Sequence, residues 1–513
     1  MEKITPFDIP LLNNEICQYL SLKDLARCVQ VSKAWSDWFS PALWRDLDCH
    51  IRLPYVYLDT FARYQEHVKT MRNIIMKQAG SVFAQVRCTN LQRLEFMQDE
   101  EYKDVRRSQL PVLRSLEKMP TLRHLQIVLA LDHDNTYKYW IRALEAMPHL
   151  ESLGLKFEES VDGWVIQRML HLCHGLQCLS VGLMGYQRGV QAKGLREYKD
   201  AKATVETMPE MQLRELSFDQ SKFWWEENIF QALLERCPRL ERLSLGWTDD
   251  RMLFQHLVKT LKENKLSALR HLRMAILYRA DLNSLLIEVL SHISCGLESF
   301  DCDELVGDDG DDDNPVVQTL IKYHSHSLTR LDLHESRLSF GTFVNLMVGL
   351  PCLQNFAAVI IDGTTDGKKD ILLNRHWECL GLRSLQLSLR SWRHYATSGD
   401  RWMESAEKRT LDYVLSEVAK LTSLRELRIR CYSIDLYNKS RGYLEQLAGL
   451  KQLEILGINS TEHYTLGEDE AQWMVDNWPK LLQVYEHGAP AVFKETLLKG
   501  RPLVEFFKVP SSY

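Results

Sequence analysis

The chain lacks any long apolar run. None of its 513 residues lies in a stretch approaching the roughly 18 uninterrupted apolar residues of a membrane helix, so no membrane partner is expected. It also lacks a basic excess. Sixty-three Lys and Arg stand against 69 Asp and Glu, a formal net charge of -6, which argues against nucleic acid or an anionic membrane surface as partner. The opening MEKITPFDIP has neither the basic start nor the apolar run of a secretory signal. Twelve cysteines form no C-x-x-C pair, and Cys28, Cys237 and Cys352 fall where a small core residue is expected. That is reduced-thiol usage, and it implies cytoplasm or nucleus.

Catalytic signatures are missing too. No G-x-S-x-G is present, and GTTDGKK (363–369) is one residue short of a P-loop and lacks its final hydroxyl residue. His324, His326 and His334 have no Cys/His pair to complete a ligand set, so they are expected at the surface. The acidic run Asp308–Asp313 lacks the residue order of a calcium loop. No enzyme activity, cofactor or metal is expected.

What is abundant is a repeat. With 45% hydrophobic and 26% charged residues the composition is that of an ordinary globular protein, but the chain is too long for one core. The pattern L-x-x-L-x-L, or a close variant, begins at Leu91, 122, 150, 176, 213, 240, 269, 297, 328, 353, 382, 424, 453 and 481. These fourteen starts leave thirteen intervals, eleven of them 25 to 31 residues long. Such periodicity marks leucine-rich repeats.

Within a unit the second and third leucines are two apart and share one side of a short strand. Amphipathic stretches such as Met252–Asn264 supply a helix between strands. Pro120, Pro148, Pro238, Pro351 and Pro479 stand two residues before a first leucine, where a helix must give way to extended chain. The expected architecture over 91–490 is an α/β class solenoid of about fourteen units, curved, with inner parallel strands and outer helices. Residues 491–513 are expected as a C-terminal cap or tail.

The first ninety residues carry no such repeat. In KDLARCVQVSKAWSDWF (Lys23–Phe39) the apolar residues wrap around a helix instead of forming one stripe, so a second surface must cover the surplus. Ser21 and Asp24 form a capping box there, Asn13 is expected to cap an earlier helix, and Ser40-Pro41 to start a third, PALWRDL. Three short helices this small hardly sustain a core alone.

Pro10, Leu11, Leu12, Glu15 and Ile16, then Asp24, Leu25, Val31, Lys33 and Trp35, then Leu43, Trp44 and Arg45 resemble the motifs of an F-box. Asn14 departs from the pattern, standing where many members place proline. The chain as a whole resembles the F-box/leucine-rich-repeat substrate receptors of SCF (cullin–RING) ubiquitin ligases. That resemblance implies an F-box over 1–47 docking a SKP-type adaptor, and through it the cullin and RING subunits. It implies repeats that bind a target protein, with no catalysis by this chain. Pro10, Leu11, Leu12, Glu15, Ile16, Leu25, Val29 and Trp35 are the expected adaptor contacts, and Trp44 is expected in the core. The alternative is a leucine-rich-repeat interaction scaffold with no ubiquitin role.

Residues 48–90 are expected as a helical connector, because Phe61, Tyr64, Val68, Met71 and Ile75 recur at steps of three and four. Two insertions lengthen the array: a basic one between Leu176 and Leu213, and one between Leu382 and Leu424 rich in arginine and aromatics. Trp392, Arg393, Tyr395 and Trp402 are candidates for a rim above Arg428 and Arg430, with an acidic or phosphorylated target segment as the partner.

Overall fold

The structure is a computed structural model that describes residues 10–49, 58–85, 87–97, 105–130, 134–158, 163–183, 209–219, 227–248, 251–276, 280–303, 305, 314–362, 370–391, 402–431, 442–459, 466–486 and 488–508. It divides into two compact units, Met1–Leu240 and Glu241–Tyr513.

The first unit opens with helices α1 (Pro10–Tyr19), α2 (Leu22–Cys28) and α3 (Lys33–Leu43). Its strands are β1 (Asp46–Asp48), β2 (Thr70–Ile74), β3 (Arg93–Phe96), β4 (His124–Leu129), β5 (Ser152–Phe157), β6 (Cys178–Leu183) and β7 (Glu215–Asp219). Each pairs in parallel with the next.

The second unit continues the pattern. It holds β8 (Arg242–Thr248), β9 (His271–Ile276), β10 (Ser299–Asp303), β11 (Arg330–Ser339), β12 (Asn355–Asp362), β13 (Ser384–Ser391), β14 (Glu426–Cys431), β15 (Ile455–Asn459), β16 (Gln483–Glu486) and β17 (Glu505–Lys508). These too are parallel neighbours in chain order. Helices such as Arg251–Lys262, Ala280–His292 and Pro315–His324 separate the strands. The architecture in each unit is a solenoid-like α/β repeat.

Each of the fourteen leucine motifs places a strand two residues after its first leucine. The reason is visible in the backbone. At thirteen of these entries the two residues after the first leucine donate to one carbonyl of the preceding repeat, as Gln354 and Asn355 do to Thr329 at 2.8 and 3.0 Å. At eleven of the fourteen the first leucine also closes a turn on the residue three before it, as Leu353 N–H does on Leu350 C=O. All fourteen first leucines are buried, 0–3% exposed. Burying each contributes about 1.5–3 kcal/mol. The five prolines stand just beyond helices that end at Leu116, Glu145, Glu235, Gly349 and Asn477.

The array extends past both ends of the detectable motif. Residues 48–90 are not a helical connector: after the helix Leu58–Tyr64 the chain makes one turn at Gln65–His67 and enters β2. Val68, Met71 and Ile74, all 0–2% exposed, take the three leucine positions. One extra residue, Asn73, stands with φ 56° where the register with β3 shifts. A three- and four-residue recurrence arises equally from a helix and from a short helix followed by a bulged strand, which is why the sequence misleads here.

The third helix is displaced in the same way. PALWRDL does not form a helix of its own. Ser32 caps α3, accepting from Trp35 N–H at 3.2 Å, and Pro41 lies in its last turn. This start sets Trp35 and Phe39 one turn apart on the core side, ring centroids 5.3 Å apart. Asn13 lies inside α1, whose first residue is Pro10. At the other end, residues 491–508 form a helix (Ala491–Gly500) and the paired strand β17, so they extend the repeat.

Candidate binding surfaces

The stretch Lys23–Phe39 is broken into two helices, and the break explains its scattered apolar residues. Ser21 caps α2, accepting from Asp24 N–H at 3.2 Å and donating to the Asp24 carboxylate at 2.6 Å. The chain then turns through Val29–Ser32 and restarts as α3. Folded this way, Cys17, Leu25 and Phe39 form a small core, with Ile16, Leu20, Cys28, Val29, Trp35, Trp38, Ala42 and Leu43 packed half-buried around it.

The expected adaptor contacts fall into different settings. Leu25, 4% exposed, lies inside that core. Ile16, Val29 and Trp35 are half-buried against it. Leu12 and Glu15 are exposed. Pro10 and Leu11 belong to α1, and their side chains lie outside the described ones. Three further apolar side chains are exposed, Tyr19, Leu22 and Val31 at 83%, 58% and 62%; Val31 belongs to the F-box motif but not to the expected contacts, and Tyr19 and Leu22 were not singled out from the sequence. Leu22 and Val31 flank α2, and only the caps at Ser21 and Ser32 reveal that they point away from the core.

No linker separates these helices from the sheet. The segment W-R-D-L-D-C (Trp44–Cys49) follows α3 and is itself a repeat unit: Leu47 pairs in register with Met71, and Cys49 N–H donates to Arg72 C=O at 2.8 Å. Trp44 takes the first-leucine position and is half-buried, its indole stacked on Tyr64. Asn73 donates across the junction to Asp48 at 2.9 Å.

The sheet face opposite the buried leucines of the second unit carries the other candidates. Arg273 lies 3.8 Å from Asp303, and Arg330 lies 3.8 and 3.7 Å from Asp301 and Asp332. His334 Nδ1 meets Asp332 at 3.0 Å. Burial raises the Asp332 carboxyl, but the hydrogen bonds and charge of His334 outweigh it and hold it below the usual range. Burial and the neighbouring Asp332 push Asp301 up. Most of this charge is already paired within the sheet.

Arg428 is held from two sides. Its Nε lies 2.7 Å from Glu426 Oε1, and its guanidinium carbon stands 4.1 Å from the ring centroid of Tyr485. Arg430 lies on the same face, in register between Ser388 and Asn459. Trp392, Arg393 and Tyr395, the expected rim, lie outside the described residues, as do 184–208, 306–313 and 363–369. Trp402 opens the helix Trp402–Val418, with its side chain outside the described ones.

Among the described residues, no group of three or more His, Cys, Asp and Glu is placed to hold a metal ion. No helix among them is long and apolar enough to cross a membrane. His324 differs from expectation: it is fully buried, not at the surface, with Nδ1 accepting from Leu297 N–H at 3.2 Å and Nε2 donating to Leu290 C=O at 3.0 Å. Cys352 is exposed and Cys28 half-buried, whereas Cys237 is a core residue whose thiol burial pushes up to about 12.

Comparison with known proteins adds one family. Residues 14–50 match the F-box-like family. They span α2, α3 and β1, most of α1, and so include the junction with the sheet. The comparison with curated proteins finds no match. Among solved structures, the crystal structure of the Rad7 and Elc1 complex in yeast is similar at 13% identity, covering 98% of this chain and 92% of that one, with a TM-score of 0.38. A protein from Bacteroides fragilis is similar at 14% identity over 55% of this chain and 70% of that one, with a TM-score of 0.29.

Proposed function

We propose that this protein is a non-catalytic substrate receptor of a cullin–RING ubiquitin ligase of the SCF type. Its F-box-like helices dock a SKP-type adaptor, and the sheet face of its repeats holds a target protein. The observation that carries this reading is the F-box-like match over residues 14–50 on a module that leaves large apolar side chains uncovered. Leu12, Tyr19, Leu22 and Val31 are exposed although the module folds a core of its own. Large apolar side chains left exposed in this way are what a protein partner covers.

The fused junction supports the same reading. A ligase receptor must hold its target at a set distance from the transfer machinery, and here α3 runs into β1 without a flexible segment. The same fusion also favours the alternative in which the helices merely cap the open edge of the first sheet. One experiment separates the two. The full chain is co-purified with a SKP-type adaptor, beside the Leu12→Glu variant. Stable binding by the wild type that Leu12→Glu abolishes supports the receptor. Failure to bind under conditions where a known F-box protein binds overturns it.

A further inference from the structure

Four neighbouring strands of the second unit build a stack on the face opposite their buried leucines. Arg428, Gly457, Tyr485 and Phe507 are partners in register on β14, β15, β16 and β17. Strands stand about 4.8 Å apart, so Arg428 and Tyr485 are separated by a whole strand. The guanidinium reaches Tyr485 only because Gly457 leaves the space between them open. A Cβ there would lie 2.7 Å from Arg428 Cγ and 2.9 Å from its Cβ. Beyond Tyr485 the stack continues to Phe507, ring centroids 5.1 Å apart and planes 23° from parallel.

The other side of the arginine is also fixed. Glu426 Oε1 lies against Arg428 Nε and accepts from Gln386 at 3.1 Å, while Oε2 accepts from Ser384 at 2.8 Å. Glu426 is thus saturated by the sheet. Among the described residues, the two terminal nitrogens of Arg428 have no partner, and the side chain keeps 34% of its surface exposed. A guanidinium ion-paired with Glu426 and set over the Tyr485 ring has little rotamer freedom left to lose, although its Nε makes no hydrogen bond within the sheet. Its open edge presents two parallel N–H donors, the geometry that receives a carboxylate bidentately.

We propose that Arg428 is a preset receiver for one carboxylate of the target, an Asp or Glu side chain in an extended segment whose neighbouring apolar or aromatic residue rests against Tyr485 and Phe507. The proposal rests on the receptor reading above, since it assigns the target's chemistry. Charge favours carboxylate over phosphate: Glu426 offsets part of the Arg428 charge, and what is left at the open edge suits a monoanion better than a dianion. Nucleic acid is disfavoured by the same carboxylate and by the net charge of -6.

The test pans a displayed library of short random peptides on the full chain, with Arg428→Gln as counter-selection. Selected peptides are then synthesised and titrated by fluorescence anisotropy. The expected binders carry Asp or Glu next to an aromatic or apolar residue. They weaken at least about tenfold when that acid is replaced by its amide, or when Arg428 becomes Gln or Lys. Gly457→Ala should weaken them similarly, because it displaces the arginine without removing its charge. Glu426→Gln should switch preference toward the phosphoserine version of the same peptide. Adaptor binding, measured on every variant, should stay unchanged, and each variant should remain folded at the assay temperature, so that lost peptide binding is not unfolding. A library that yields no Arg428-dependent binder overturns the proposal, as does a phosphoserine peptide or an oligonucleotide that binds the wild type more tightly. Those outcomes with adaptor binding intact leave the receptor reading standing.

Discussion

The indole of Trp44 lies almost parallel to the phenol ring of Tyr64, with centroids 5.2 Å apart and planes 13° from parallel. Trp44 closes the F-box-like helices and Tyr64 closes the helix Leu58–Tyr64, so this contact sets the angle between that module and the first strands. A stacked aromatic pair contributes about 0.5–1.5 kcal/mol beyond its buried area. Trp44→Ala and Tyr64→Ala should each lower stability, and a double-mutant cycle in urea should return a coupling of about that size. Limited proteolysis should cut the double variant between α3 and β2 first. A coupling near zero would mean that β1–β2 pairing alone holds the module.

Leu25 and Leu12 should separate folding from docking. Leu25 is 4% exposed within the module's core, so Leu25→Ala should cost about 2–5 kcal/mol and lose adaptor binding through unfolding. Leu12, 45% exposed, should tolerate Glu with an unchanged melting temperature while losing the adaptor. Hydrogen exchange over residues 10–49 in the intact chain, beside a binding titration, distinguishes the two effects. Equal loss of stability in both variants would contradict this division.

His324 makes the second unit sensitive to mild acid. Burial lowers its pKa, only partly offset by its bond to Leu290 C=O, so the folded protein keeps it neutral. The unfolded chain takes up a proton near pH 6.5, the folded one only at lower pH. Stability from this group is therefore fully present above about pH 6.5 and declines as pH falls toward the folded value. The melting temperature should fall between pH 7.5 and 5.5. His324→Leu should flatten that dependence, while losing about 1–3 kcal/mol at pH 7.5 because Leu297 N–H and Leu290 C=O are left unpaired. An unchanged pH profile in the variant would remove His324 as the cause.

Glu486 stands where other units carry an apolar third residue, and is 4% exposed. Burial raises its carboxyl, but Lys494 Nζ at 2.7 Å and the N–H of Ala489 at 2.6 Å more than reverse that, leaving it below the usual carboxylate range. Its contribution is present above the unfolded value of about 4.3 and is lost as pH falls through the lower folded value. Glu486→Gln should lower the urea midpoint at pH 7, and the difference from wild type should shrink below about pH 4. A difference that persists unchanged at pH 3 would assign the effect to shape, not charge.

Sequence alone determined the repeat. A pattern of leucines at fixed spacing can be buried only if each unit makes one strand and returns through a helix, so every one of the fourteen motifs yields a strand. It also showed that the first helices differ in kind, because their apolar residues exceed what one stripe accommodates. The ends of the array were hidden, since Trp44, Val68 and Lys508 stand at positions that leucine marks elsewhere and a degenerate triplet is indistinguishable from a helical recurrence. The break at Ser32 was equally illegible: whether a serine caps a helix or rides inside one depends on which start buries Phe39, a matter of packing and not of local preference. The same holds for Arg428. Its place between Glu426 and Tyr485 spans residues as far as 59 positions apart in the chain (485 minus 426), and only strand register brings them together. Local chemistry sets what each strand is made of. Which side chains meet across strands is set by the turns between them, through a register no single segment contains.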